Sequence, residues 1–256
     1  MHNQMILTPF FLDESLPELE NLAAPDWIIN KPELPDGDKQ HRMSAIHRPL
    51  ADFVRQAMEK GDRPISIAGD CCSAIGMLAG LQQAGLDPVL IWFDAHGDFN
   101  TWQTTPSGFL GGMPLAMLVG TGEQTMLMSL EIKPLAEDRV VLADGRDLDP
   151  GEKILINNST VIHLTNVREL LALQLPDAPL YIHLDTDIIN PAEAPAMSYP
   201  AAGGPSVGEL QTVMKHLKRT EKIAAISVST WNPKMDKDGR SRNVCMGLLN
   251  TLITPL

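Results

Sequence analysis

The sequence predicts an α/β fold in which a mostly parallel sheet is covered by helices on both faces. Short apolar runs typical of buried strands alternate along the chain with segments whose apolar residues recur at helical spacing. This alternation is typical of strand–helix–strand units with right-handed crossovers. Two of the apolar runs also end in paired aspartates, and sheets of this class bind ligands beyond the carboxyl ends of their strands. We find no repeat or linker, so we expect residues 1–256 to form one domain.

The individual elements are clearest after the first sixty residues. That first segment predicts a strand over residues 5–11, then loop and short strand among prolines. A helix follows from about Lys39 to Glu59, with Pro49 marking either a kink or the true start of the helix. A capping box formed by Ser206 and Glu209 opens a later helix. Further strands are predicted at residues 64–68, 89–93, 139–143, 161–164, 180–187 and 222–228, and helices at residues 74–81, 166–173, 206–219 and 241–252, with another helix opening at Pro150.

Acidic residues at two strand ends form the main candidate site. In extended backbone, residues two apart point to the same side, so we expect Asp94, His96 and Asp98 to face one point. Converging carboxylates indicate a divalent metal ion, because without one they repel each other or take up protons. The alternative is a solvated polar loop. Since Asp185 and Asp187 repeat the design on another strand, the two strand ends together provide the oxygen-rich shell of a pair of ions.

The net charge and the cysteine content indicate which partners and which cellular compartment to expect. The formal net charge of -12 argues against nucleic acid and anionic membranes as partners. The chain has three cysteines, two of them adjacent, which favours reduced thiols in the cytoplasm over a disulfide framework. We expect neither a signal peptide nor a membrane span, because the N-terminal residues lack a basic and apolar leader and no run reaches about 18 apolar residues.

The motifs resemble those of the ureohydrolase family, which includes arginase, agmatinase and formimidoylglutamase. The resemblance implies a three-layer α/β/α sandwich around an eight-stranded parallel sheet, and assembly into a homo-oligomer, either trimer or hexamer. It also implies two manganese ions bridged by a hydroxide, which attacks a guanidine or amidine carbon so that a C–N bond is hydrolysed. The matching stretches, in the family's order from about residue 60 onward, are Ala68-Gly69-Asp70-Cys71, Asp94-Ala95-His96-Gly97-Asp98, Asp185-Thr186-Asp187, Asn190-Pro191, Gly203-Gly204 and Asn232-Pro233.

The resemblance also implies a role for each matching residue. Asp94 and Asp185 would each bridge both ions, and Asp98 would be the catalytic residue that accepts a hydrogen bond from the hydroxide. The complete set of implied metal ligands is Cys71, Asp94, His96, Asp98, Asp185 and Asp187. The implied substrate-binding positions are Asn100, Ser107, Asp149 and Thr230, with Glu152 nearby.

Three positions depart from the family's pattern. Cys71 replaces a histidine ligand, and a thiolate favours zinc, iron or cobalt over manganese. The alternative is that Cys71 is a buried thiol and that the first metal is weakly bound or absent. Thr230 replaces the glutamate that pairs with the guanidinium in arginases, which makes ordinary arginine or agmatine a poor expected substrate. Gly111, in the long loop of residues 101–112, replaces the histidine proton shuttle of many arginases. Together, Cys71 and this glycine-rich loop resemble the N-hydroxyarginine amidinohydrolase branch.

We therefore expect a dinuclear metal-dependent hydrolase that cleaves a C–N bond of a guanidino, hydroxyguanidino or amidino small molecule. The alternative, which Thr230 and Gly111 favour, is a catalytically inactive, metal-poor subunit or binding protein. A third possibility is a deacetylase-like amide hydrolase. That class uses a pair of adjacent histidines as its base, and this sequence has none.

Overall fold

The computed structural model describes residues 2–254 and is built around one eight-stranded sheet. In space the strands of this sheet follow the order β4-β1-β5-β10-β9-β6-β7-β8, and every neighbouring pair is parallel, while β2 and β3 form a separate antiparallel hairpin. The ranges are β1 Asn3–Thr8, β2 Phe10–Phe11, β3 Glu14–Ser15, β4 Ile28–Ile29, β5 Arg63–Ala68, β6 Val89–Asp94, β7 Val140–Asp144, β8 Ile162–Leu164, β9 Leu180–Asp185 and β10 Ile223–Ser229.

Helices cover both faces of this sheet and complete three layers, which confirms the predicted fold class. Successive side chains of a strand point to opposite faces, so Leu90 and Trp92 of β6 enter one apolar core while Ile91 and Phe93 enter the other. Helices α1 to α4 bury residues in the first core, and α6 and α7 bury residues in the second. The helices are α1 Lys39–Glu59, α2 Ser73–Gln83, α3 Pro114–Leu118, α4 Thr125–Ser129, α5 Pro150–Asn158, α6 Val207–Lys218 and α7 Arg240–Ile253.

Two helical predictions need correction in detail. Helix α1 begins at Lys39, because the side chain of Asp38 accepts a hydrogen bond from the backbone N–H of His41 (2.8 Å). Pro49 therefore lies inside the helix and is not its start. The segment predicted as a helix at residues 166–173 is a shorter 3₁₀ helix over Val167–Leu171. The capping box at the start of α6 is present as predicted.

The N-terminal segment forms one edge of the sheet and also reaches the carboxyl ends of the central strands. Strands β1 and β4 are the edge, and the β2–β3 hairpin is tied to the turn that follows β5. The backbone N–H of Leu12 donates to the carboxylate of Asp70 (2.7 Å), and the N–H of Gly69 donates to the carbonyl of Phe10 (3.0 Å). Only glycine fits at position 69, since a Cβ there would lie 2.2 Å from that carbonyl oxygen.

No helix within residues 2–254 is both long enough and apolar enough to cross a membrane.

Candidate active site

The predicted site residues meet at the carboxyl ends of four strands that are adjacent in the middle of the sheet. Asp94 ends β6 and Asp185 ends β9, while Cys71 follows β5 and Thr230 follows β10. Because these strands lie side by side in the order β5-β10-β9-β6, their ends surround one cavity of about 520 Å³. This volume is typical of small-molecule sites.

Two groups of side chains in this cavity have the spacing of metal sites. Cys71, Asp94 and Asp185 form one group, and Asp94, His96 and Asp187 form the other, with candidate ligand atoms of each group within 4.8 Å of one another. Within them, Cys71 Sγ lies 2.7 Å from Asp185 Oδ2, and His96 Nδ1 lies 3.1 Å from Asp187 Oδ2. Asp94 belongs to both groups, whereas Asp185 belongs only to the first. This arrangement suits two neighbouring cations that share one carboxylate.

Asp98 lies in the same cavity, but its backbone conformation is not the extended one that the sequence predicts. The extended backbone ends at Asp94, the next residues bend, and Asp98 has a left-handed φ of +49°, so the argument from strand alternation was wrong for this residue. The backbone is held there because the Asp98 carbonyl accepts hydrogen bonds from the N–H groups of Leu115 and Ala116. Within residues 2–254, Asp98 Oδ2 is buried without a hydrogen-bond partner. Such an acceptor indicates a missing ligand.

The crowding of acidic side chains in this cluster favours the binding of protons or of metal cations. Burial, followed by the charges of Asp94 and Asp185, raises the pKa of Asp98 well above its ordinary value. Burial and Asp94 likewise raise the pKa of Asp187 to about 6. Burial and the charge of Asp185 raise the pKa of the Cys71 thiol. The apo cluster therefore favours its protonated forms, and a donor set of thiol, imidazole and carboxylates fits divalent cations that would reverse these shifts.

These raised pKa values predict that the buried acids contribute less to the stability of the chelator-treated protein as pH rises. An acid whose pKa is higher in the folded state binds its proton more tightly there, so its contribution to stability is complete below the unfolded pKa and is lost as pH rises through the folded pKa. For Asp187 this pH window runs from 3.8 to about 6, and for Glu152 it runs from 4.5 to about 7. Burial is the largest cause of the raised pKa in both cases. As pH rises from 4.5 to 7, we expect the native protein to lose stability in urea relative to its Glu152→Gln variant, which lacks this acid. The comparison cancels the opposite contribution of His47 and His183, because burial lowers the pKa of these histidines to about 4 and about 3 in both proteins. A native protein that gains stability relative to the variant over this range would contradict the assignment.

A buried polar network behind the cluster orients its ligands. The indole N–H of Trp92 donates to Asp94 Oδ2 (2.9 Å), and the Trp92 ring stacks on His183 with centroids 3.8 Å apart. His183 Nδ1 lies 2.7 Å from the hydroxyl of Ser227, and the hydroxyl of Ser229 lies 3.2 Å from Cys71 Sγ. Burial lowers the pKa of His183 to about 3, so this ring is neutral. Sequence reasoning missed Trp92, although its position two residues before Asp94 on the same strand face was an available signal.

The four predicted substrate positions, Asn100, Ser107, Asp149 and Thr230, all line the cavity. The Asn100 amide donates to Asp149 Oδ2 (2.9 Å), and Asp149 with Glu152 forms the capping box of α5. The hydroxyl of Thr230 donates to Asp185 Oδ2. Thr230 also has a φ of +74°, which is unusual for a β-branched residue and is typical of strain kept at a functional site.

Three aromatic side chains at the outer part of the cavity were missed by sequence reasoning. The ring centroids of Phe11 and Phe109 lie 6.1 Å apart, and Tyr199 lies 5.3 Å from Phe109 and 6.4 Å from Phe11. A Cβ at Gly111 would lie 2.4 Å from the ring of Phe109, so this glycine makes room for the ring. The sequence carries no signal for this cluster, because its members come from three distant segments.

Comparison with known proteins agrees with this geometry. The model of the arginase family matches residues 21–254. The arginase of Bacillus caldovelox is 32% identical over 219 residues, which cover 79% of this chain and 72% of that one, and the arginase of Bacillus subtilis strain 168 is 31% identical over 248 residues, which cover 89% and 82%.

Solved structures support the fold. The crystal structure of the Bacillus subtilis arginase superposes with a TM-score of 0.84 at 24% identity and covers 100% of this chain and 99% of that one. Formimidoylglutamase from the same organism has a TM-score of 0.75 at 14% identity, over 100% of this chain and 89% of that one. The predicted family is thereby confirmed, while the closer likeness to the N-hydroxyarginine amidinohydrolase branch stays a prediction. The chain belongs to the arginase family and is a hydrolase of the ureohydrolase type, which acts on carbon–nitrogen bonds.

Proposed function

We propose that this protein is a dinuclear metal-dependent hydrolase that cleaves a C–N bond of a guanidino, hydroxyguanidino or amidino small molecule. The observation that carries the proposal is the pair of ligand groups that share Asp94. A shared carboxylate between two groups of donors is what two-metal hydrolysis requires. The unpartnered oxygen of Asp98 supports it independently.

The proposed metal ligands divide between two positions. Cys71, Asp94 and Asp185, joined by Asp98, would hold one cation, and Asp94, His96 and Asp187 would hold the other. The proposal that Asp185 also binds the second cation is supported by the family likeness alone. When bound, two such cations acidify a shared water and stabilise negative charge that develops on the substrate. Manganese is the ion typical of the family. The thiol of Cys71 makes zinc, iron or cobalt the alternatives at the first position.

The protein's own residues supply binding and proton transfer. The Oδ2 atom of Asp98 is free to accept a hydrogen bond, and then a proton, from the attacking water. As water adds to the guanidine carbon, the C–N bond to the substituent breaks, and the amine leaves with a proton while urea remains. Thr230 offers only a hydroxyl, which already donates to Asp185, so it provides no countercharge for the guanidinium. Asn100, Ser107 and Asp149 are proposed to contact the rest of the substrate.

We test the proposal by hydrolysis assays on protein that is stripped with chelator and reloaded with manganese, zinc or cobalt. The panel contains guanidino, N-hydroxyguanidino and amidino compounds, and the readouts are urea, hydroxyurea or ammonia release together with metal content per chain. We expect activity only in the reloaded protein, at two ions per chain. Two bound ions without turnover of any compound would favour the inactive binding protein. Failure to bind metal at all would refute the proposed site.

The remaining proposals concern assembly and location. We propose a homo-oligomer, either trimer or hexamer, on the basis of the family likeness. A cytoplasmic location is supported by three free thiols, those of Cys71, Cys72 and Cys245, which are all buried. We also propose that residues 1–256 act as one domain, since a single sheet contains strands from both ends of the chain.

A further inference from the structure

The cavity has an apolar outer wall in addition to its acidic floor. Phe11, Phe109 and Tyr199 lie together there, and Tyr199 is 45% exposed. Aromatic faces that line an open cavity bind apolar and especially aromatic groups by offset or edge-to-face contact. A substrate that ended in a small polar head would leave this wall in contact with water.

Two features of the surrounding backbone position Phe11 and make room for Phe109. The β2–β3 hairpin that carries Phe11 is tied to the site by Asp70 and Gly69. The ring of Phe109 occupies the space that any side chain at Gly111 would fill. The backbone that carries Phe11 is therefore anchored before a ligand arrives, and the glycine at position 111 leaves open the space that the Phe109 ring occupies.

The charges of the cavity disfavour an anionic substrate. Among the described residues that line it there is no lysine or arginine, while Asp147, with 70% of its side chain exposed, and Asp149 stand outside the metal groups. Arg146 lies nearby in sequence, but its guanidinium is engaged by Asp144 and by backbone carbonyls. The Asn100 amide is likewise engaged, by Asp149 and Thr104. A carboxylate on the substrate would therefore find like charge and no cationic partner.

We propose that the substrate is a guanidine or amidine that carries an apolar aromatic group and no carboxylate, with its aromatic ring against Phe11, Phe109 and Tyr199. This inference rests on the proposed function for the reacting group, whereas the aromatic wall and the charges carry the choice of substituent. It excludes guanidino acids as preferred substrates. A cavity of about 520 Å³ has room for such a molecule.

The test uses four ligands that vary the two features independently. Phenylpropylguanidine has a ring and no carboxylate, and 4-(3-guanidinopropyl)benzoate has both. Butylguanidine has neither, and 4-guanidinobutyrate has only the carboxylate. Calorimetry on the manganese-loaded protein gives the four dissociation constants, and urea release gives turnover. We expect phenylpropylguanidine to bind about tenfold more tightly than butylguanidine and than the benzoate, as ring contacts and like-charge repulsion predict.

Variants locate the binding of the ring. Tyr199→Ala should weaken binding of phenylpropylguanidine more than that of butylguanidine, whereas Tyr199→Phe should retain the difference. Trp102→Ala is the matched control, because Trp102 is also a large exposed aromatic residue but does not line this cavity. Thermal unfolding checks that each variant is folded.

The outcomes separate this inference from the proposed function. Equal binding of phenylpropylguanidine and butylguanidine, tightest binding of 4-guanidinobutyrate, or no binding of any of the four would overturn the inference. Tight binding of phenylpropylguanidine without cleavage would leave the aromatic site in place and count against the hydrolase. Cleavage of butylguanidine or 4-guanidinobutyrate without tighter binding of the ring-bearing compounds would support the hydrolase and contradict the aromatic site.

Discussion

Asp98→Asn is expected to abolish hydrolysis and, at the same time, to stabilise the metal-free protein. The change removes a buried carboxylate whose Oδ2 has no partner among the described residues and whose pKa is raised by burial and by Asp94 and Asp185. Activity should fall by about 10³-fold, the scale of losing a positioned proton acceptor. Stability of the metal-free protein should rise at neutral pH, because a neutral amide replaces a buried acid whose charged form is disfavoured by burial and by Asp94 and Asp185.

The substitution is well matched to the backbone. Asparagine adopts a left-handed φ as readily as aspartate, so the +49° angle at position 98 is retained. Steady-state hydrolysis and urea unfolding after chelator treatment are the measurements. Asp177→Asn is the control, since the Asp177 side chain is 97% exposed and lies outside the cavity. Retained activity in the Asp98→Asn protein would show that Asp98 neither holds an ion nor accepts a proton.

Replacement of Cys71 should change how many metal ions the protein holds. We expect elemental analysis to give two ions per chain for the native protein and about one for Cys71→Ala, because the first group then loses its thiol donor. Cys71→His restores the ligand type that the family pattern has at this position. We expect that variant to keep two ions and to shift its preference from zinc toward manganese, since imidazole is a harder donor than thiolate.

Cys72→Ala is the matched control for this series. Cys72 is the adjacent residue and is fully buried, but it belongs to neither ligand group. Its replacement should leave the metal content unchanged. If Cys71→Ala also kept two ions, Cys71 would be a buried thiol and not a ligand. If every protein in the series held one ion or none, the dinuclear assignment itself would fail.

Most of the fold could be predicted because its central strands are buried on both faces. Strands β5, β6, β9 and β10 are therefore mostly apolar runs, which are easy to recognise in a sequence. The strand predicted over residues 5–11 is divided in the structure into β1 and β2, and the short strand predicted among prolines corresponds to β4. Strand β3 was not predicted, since its two residues show no periodicity and form a strand only through pairing with β2.

The candidate site divides in the same way. Asp94, His96, Asp185 and Asp187 could be found because each lies at, or within two residues of, the end of a strand that the sequence predicts. The convergence of Asp98 was predicted for a reason that fails, because its backbone is left-handed. The aromatic wall was not predicted, since residues 11, 109 and 199 meet only after strands from both ends of the chain have paired.

The contact between Phe109 and Gly111 restricts the order in which this site can change during evolution. A side chain at position 111 requires that the ring at position 109 first move or become smaller, because a Cβ at residue 111 would lie 2.4 Å from that ring. The effects of substitutions at the two positions should therefore depend on each other. A histidine at position 111 is accommodated only when the Phe109 ring has turned away or has been replaced by a smaller side chain.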